Sequence, residues 1–217
     1  FFFQHPDFGW PEKISIQKWL LLLHNFFCAL GAERKIALSF SESKNINAKR
    51  IVVTPPLLRK ELYKLNTINE GFILVYLLNS GFLGDIIKWC KENPFRKVVI
   101  FLDKVPETGS FPTNVEFEHL QGEKFIHMLS TCELLFCTAG FETVAEAAFL
   151  GKRILVIPSK NHYEQKCNAL DAEKAGIAKR VNEFDIPEES VNLPGFTSLK
   201  SYRSWVLKNP GIIIKIL

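Results

Sequence analysis

Little in this chain points to a metal, a disulfide framework, a nucleic acid or a membrane span. Cysteine occurs five times in 217 residues, at positions 28, 90, 132, 137 and 167. An odd, scattered set in mostly apolar settings argues for reduced thiols rather than bridges. No pair has metal-ligand spacing, since Cys132 and Cys137 frame a short apolar run instead of a knuckle. Cys137 reads as a packing residue, not a nucleophile. Charge of one sign is also scarce. A net +4 suits an anionic nucleotide or an anionic membrane surface, and is too small to argue for nucleic acid. No aromatic-rich RNA motif occurs. The apolar run of residues 19–23, inside a helical pattern over 16–30, is too short to cross a bilayer. That helix reads as half-buried packing, or as an interfacial face of Trp19, Leu22, Phe26 and Leu30 resting on lipid, with Lys18 and Arg34 nearby.

What is abundant is apolar material, 47% of residues, which is ample for a core. Much of it falls in short unbroken runs. Residues 71–77, 98–102, 134–137 and 154–157 have the pattern of parallel strands buried on both faces. Residues 35–39, 50–53 and 177–181 read as further strands, and the alternating 114–120 as a more exposed one. Residues 1–3 look like a strand leaving into a loop. Helices are expected at 84–92, 125–132, 141–150 and 169–175, and within 196–217, with 57–65 a short helix or an extended link. Strand–turn–helix alternation of this kind predicts an α/β fold built on a Rossmann-like parallel sheet. Thr54-Pro55-Pro56 interrupts the pattern. The expected organisation is therefore 1–53 as the tail of a preceding α/β domain, 54–190 as the sheet domain and 191–217 as a helical end.

The chemistry concentrates in residues 137–169. Thr138-Ala139-Gly140 are small, so the chain can turn sharply and a ligand can approach its backbone. The helix that follows buries Val144, Ala147 and Ala148 on one face and stops at Gly151, where a left-handed residue belongs. A helix starting after such a turn aims free N–H groups and a partial positive charge at the mouth of a parallel sheet, which makes a phosphate site. Glu142 and Glu146 share one face. Glu146 is roughly 8–9 Å along the axis from the helix start, within reach of a ribose attached to a diphosphate held there. Glu142 is nearer the phosphates, would repel them, and is expected to turn aside or to bind a sugar hydroxyl through a bridge. A solvated helix face would show the same two acids. The polar stretch after the next strand, Lys160 to Gln165 and then Asn168, shifts the balance, because carboxylates and amides suit sugar hydroxyls.

Ala139-Gly140-Phe141-Glu142-Thr143-Val144-Ala145-Glu146, Leu150-Gly151-Lys152, Val156-Ile157-Pro158 and Tyr163-Glu164-Gln165 with Asn168-Ala169-Leu170 resemble the donor-binding half of GT-B glycosyltransferases. The group most similar is related to the lipid-II-forming N-acetylglucosaminyltransferase of peptidoglycan synthesis. The resemblance runs from about Pro55 to Ile186, with Arg153 standing where such proteins usually carry proline. It implies transfer of a sugar from a nucleotide diphosphate, UDP in that group, to a hydroxyl acceptor, with neither metal nor other cofactor. It places the diphosphate at Ser80, Gly81, Ala139, Gly140, Phe141 and Thr143, and the ribose at Glu146. The uracil edge falls to backbone at Leu120 and Gln121, and the sugar to Glu142, Glu164, Gln165 and Asn168. No catalytic residue is assigned, since the base in related enzymes comes from the first domain. The implied partners are a nucleotide-sugar donor and a hydroxyl acceptor, a lipid-linked one among the candidates, with peripheral contact at the inner face of a membrane from a cytoplasmic location. The resemblance also implies a longer protein than this chain, with seams expected near 41–48, 107–112 and 193–197. A sugar-nucleotide 2-epimerase is disfavoured, because Tyr163-Glu164-Gln165 replaces its acidic-arginine-proline loop. A non-catalytic module needing a partner remains the other alternative.

Overall fold

A computed structural model describes residues 2–11, 15–77, 80–106, 110–186 and 199–208. In chain order the elements are α1 (Ile16–Cys28), β1 (Lys35–Leu38), β2 (Ile51–Thr54), β3 (Ile73–Leu77), α2 (Leu83–Glu92), β4 (Val98–Leu102) and β5 (Val115–His119). There follow α3 (Gly122–Thr131), β6 (Leu134–Cys137), α4 (Phe141–Phe149), β7 (Arg153–Val156), α5 (Tyr163–Lys174), β8 (Lys179–Arg180) and α6 (Leu199–Val206). The last six strands form one parallel sheet in the order β5-β4-β3-β6-β7-β8. Counted along the chain this is 3-2-1-4-5-6, the doubly wound order, with its switch point between β3 and β6. β1 and β2 pair in parallel as a separate two-stranded sheet.

The unbroken apolar runs are strands because both faces of the sheet are covered. Leu74, Val99, Phe101, Leu135 and Val156 pack on the side of α3, α4 and α5. Ile73, Val75, Ile100, Leu134 and Phe136 face Ile86, Trp89 and Cys90 of α2 on the other. This alternation is the period-two consequence of strand geometry. Gly151 closes α4 with φ +72°, the left-handed stop anticipated for it. α6 ties the two sheets together: Tyr202 Oη donates to the Ala145 carbonyl at 3.0 Å, and Trp205 Nε1 donates to the Ser39 carbonyl at 3.1 Å.

Three expectations need correction. Residues 2–4 form a 3-10 turn, not a strand. Phe2, Phe3, Phe8 and Trp10 pack there, mostly edge to face, and side-chain packing replaces a ladder. α5 begins at Tyr163, so the polar stretch read as a loop supplies its first turn. Its buried positions include Gln165 and Asn168, whose polarity hid the helical period. α3 begins at Gly122, three residues early, through an exposed and polar first turn. Residues 57–65 are extended up to a 3-10 turn at Lys60–Lys64. Phe1, the seam at 193–197, part of the seam at 107–112 and the final residues 209–217 lie outside the described residues.

Candidate functional site

At the switch point, β6 ends at Cys137 and the chain turns through Thr138, Ala139 and Gly140 into α4. Gly140 is the N-cap, in extended backbone (φ −72°, ψ 130°), and no side chain caps the helix. The amides of the first turn therefore keep their hydrogen-bonding capacity for something else. The Thr138 hydroxyl beside them is buried without a hydrogen-bond partner among the described residues. Cys137 is fully buried, and burial pushes its thiol up to about 12, which fits packing rather than nucleophilic chemistry.

A cleft of about 490 Å³ opens next to this turn. α4 contributes Glu142, Thr143 and Glu146; the end of β3 contributes Tyr76; the junction after β5 contributes Leu120, Gln121 and Gly122; and the link after β2 contributes Leu57, Leu58 and Arg59. Phe125 of α3 packs its ring 4.7 Å from that of Tyr76. Burial raises the Tyr76 phenol, partly offset by the Arg59 charge.

Glu146 is the most constrained group in the cleft. Arg59 Nε donates to Oε1 at 2.6 Å and Nη2 donates to Oε2, a bidentate pair. The carboxylate side chain is only 7% exposed and the guanidinium side chain 38%. A carboxylate this buried needs a charged, hydrogen-bonded partner. The same hydrogen bond holds Arg59 more firmly protonated.

Five of the residues singled out from sequence therefore share one cleft: Leu120, Gln121, Glu142, Thr143 and Glu146. Glu142 lines it, as the alternative of binding a sugar hydroxyl requires. Ala139, Gly140 and Phe141 form the turn and helix start beside it, with the Phe141 ring stacked on Phe40 at 4.4 Å. Ser80 and Gly81 lie in an exposed 3-10 turn after β3 and are not in the cleft wall. Glu164, Gln165 and Asn168 lie on α5, also outside that wall. Gln165 Oε1 accepts from the Ser159 amide at 2.8 Å, and Asn168 Nδ2 donates to the Ala139 carbonyl at 3.1 Å. Arg59 and Tyr76 escaped the sequence reading, which took Thr138 only as a small residue of the turn. Tyr76 carried the only available signal, a polar tip at the carboxyl end of a central parallel strand.

Strand order, crevice and uncapped helix together define a doubly wound α/β protein with a cleft at its switch point. Residues 28–194 match the profile of glycosyl transferase family 1, and the chain belongs to that family. Among similar curated proteins is the UDP-N-acetylglucosamine--N-acetylmuramyl-(pentapeptide) pyrophosphoryl-undecaprenol N-acetylglucosamine transferase of Alkaliphilus metalliredigens (strain QYMF). It is 24% identical over 210 residues, covering 83% of this chain and 57% of that protein. The protein of the same description from Thermoanaerobacter sp. (strain X514) is 24% identical over 216 residues, covering 83% and 55%. The chain thus spans about half the length of the curated relatives it matches. Among solved structures, the glycotransferase of kitacinnamycin superposes with a TM-score of 0.62 at 17% identity, over 84% of this chain and 53% of that one. Acinetobacter baumannii MurG gives 0.51 at 17% identity, over 88% and 62%. The fold is that of the GT-B glycosyltransferases.

Proposed function

We propose that this chain holds a UDP-sugar and forms the donor side of a glycosyltransferase that passes the sugar to a hydroxyl acceptor without a metal. The observation that carries the reading is Glu146, a buried carboxylate facing a 490 Å³ cleft and set back along α4 from an uncapped helix start at the switch point. In this reading Glu146 accepts from both ribose hydroxyls, and Leu120 and Gln121 meet the uracil edge through their backbone. The amides of Phe141 and Thr143 and the Thr143 hydroxyl take the diphosphate, with the turn at Ser80 and Gly81; Gly140 lets the ligand approach the backbone, its own amide donating to the Thr138 carbonyl at 2.5 Å. Glu142, Glu164, Gln165 and Asn168 face the sugar, the last two with the amide groups not already bonded to Ser159 and Ala139.

Transfer breaks the bond between the anomeric carbon and the diphosphate oxygen, which leaves with the electron pair; the acceptor oxygen takes its place on that carbon, and its hydroxyl proton passes to a base that the resemblance places in the first domain. Charge then builds on the departing diphosphate, where preorganised amides and the helix dipole stabilise it most. The names of the curated relatives carry both a UDP-sugar donor and an undecaprenol-linked acceptor, which supports a lipid-linked acceptor and peripheral contact with the inner face of a membrane. The exposed apolar face of α1 suits such contact, and no helix among the described residues is long and apolar enough to cross a bilayer.

Incubation with UDP-N-acetylglucosamine, reading UDP release with acceptor present and epimer formation without it, tests the reaction. UDP release without epimerisation is the expected result; epimer formation would favour the isomerase. The span of about half of each relative favours a second reading, a donor-binding module that needs a partner, and binding with neither product would support it.

A further inference from the structure

The pair of Arg59 and Glu146 is asymmetric in a way that matters for ligand choice. Glu146 is fixed on α4 and buried, so it cannot leave the cleft. Arg59 stands on an extended link, its side chain 38% exposed, and among the described residues its guanidinium hydrogen-bonds to Glu146 alone. Both oxygens of the carboxylate are engaged by the guanidinium. A ribose arriving at this carboxylate must displace it. Two hydroxyls replace the two lost N–H donors but not the lost positive charge, and the displaced guanidinium needs a new anion nearby. A nucleoside brings none. A nucleoside diphosphate brings one that matches the planar fork of a guanidinium.

Resting on the reading of this cleft as a nucleotide site, we propose that Arg59 is its specificity-determining residue. It occupies the ribose carboxylate in the free protein and exchanges onto the ligand's phosphates on binding, so that the cleft discriminates phosphorylated nucleosides from bare ones. Arg59 is then both competitor and ligand contact, and the two roles separate by the sign of a single substitution.

The test is calorimetric titration of the intact chain with uridine and with UDP, for the wild type and for Arg59→Met, which keeps an apolar stem. Removing the guanidinium should tighten uridine several-fold, because a competitor is gone, and weaken UDP about tenfold or more, because a phosphate contact is gone. Should Arg59→Met fail to fold, Arg59→Lys carries the test, since one ammonium cannot hold both oxygens in the same fork; the same opposite shifts are expected, smaller in size. Shifts of the same sign for both ligands, or none for either, would overturn the switch while leaving the nucleotide site standing. A wild type that binds neither ligand at millimolar concentration would overturn the nucleotide reading, and the switch with it.

Discussion

Asn168 on α5 donates its side-chain amide to the carbonyl of Ala139 across 3.1 Å, and so fixes the turn that opens α4. Both residues are buried. A residue picked from sequence as a sugar contact thus holds the geometry of the turn proposed for the diphosphate. Asn168→Ala should cost about 1–3 kcal/mol in urea unfolding, the range for a buried group left unsatisfied. It should also weaken UDP in titration. Asn168→Asp should do as much harm or more, since a carboxylate cannot donate to the carbonyl.

Asp171, one turn further along α5, lines a smaller apolar pocket of about 230 Å³ together with Phe2, Phe8 and Phe141. Burial raises its carboxyl from an ordinary 3.8 to about 6. Below 3.8 both folded and unfolded chains carry the proton and the group costs nothing. As pH rises toward 6 the unfolded chain ionises first and stability falls. Above 6 the cost is complete, of the order of 3 kcal/mol. Asp171→Asn should therefore stabilise the protein at pH 7.5, with the gain shrinking to roughly a third at pH 4.5. Urea midpoints at the two pH values measure this, and a gain that does not change with pH would contradict it.

α1 buries none of its residues completely, and Trp19 is 66% exposed, alongside Phe26 and Phe27. Of the face expected to meet lipid, Leu22 alone is half-buried. Lys18, 4.6 Å from the centre of the Trp10 ring, is the one lysine of α1, which has no arginine, so the helix offers little positive charge. Co-sedimentation with anionic lipid vesicles should show binding that depends weakly on salt and falls about tenfold or more in the Trp19→Ser, Phe27→Ser double variant. Equal sedimentation of variant and wild type would remove α1 from the membrane account.

The sheet was legible because burial on both faces writes itself as unbroken apolar runs. Residues 98–102 and 134–137 were bounded to the residue. The α4 turn was legible because small residues, a helix and a glycine stop follow one another in sequence. α5 was harder, since Gln165 and Asn168 are buried through hydrogen bonds rather than through apolar contact. Arg59 was out of reach. Its link has no period, and its partner lies 87 residues away, a relation that only the folded chain creates. The aromatic cluster of residues 2–10 was misread for a similar reason: a run of phenylalanines has high strand propensity, and tertiary packing overrode it.

The central claim is that Glu146 grips the ribose of a uridine nucleotide. Titration of UDP into the wild type and Glu146→Ala tests it most directly. Loss of this carboxylate should weaken UDP by about 1–3 kcal/mol, the worth of a charged hydrogen-bond acceptor, while inorganic pyrophosphate, which has no ribose, should bind the variant at least as tightly as the wild type, since Arg59 is freed from its partner. Unchanged UDP affinity in a folded Glu146→Ala protein would contradict the account.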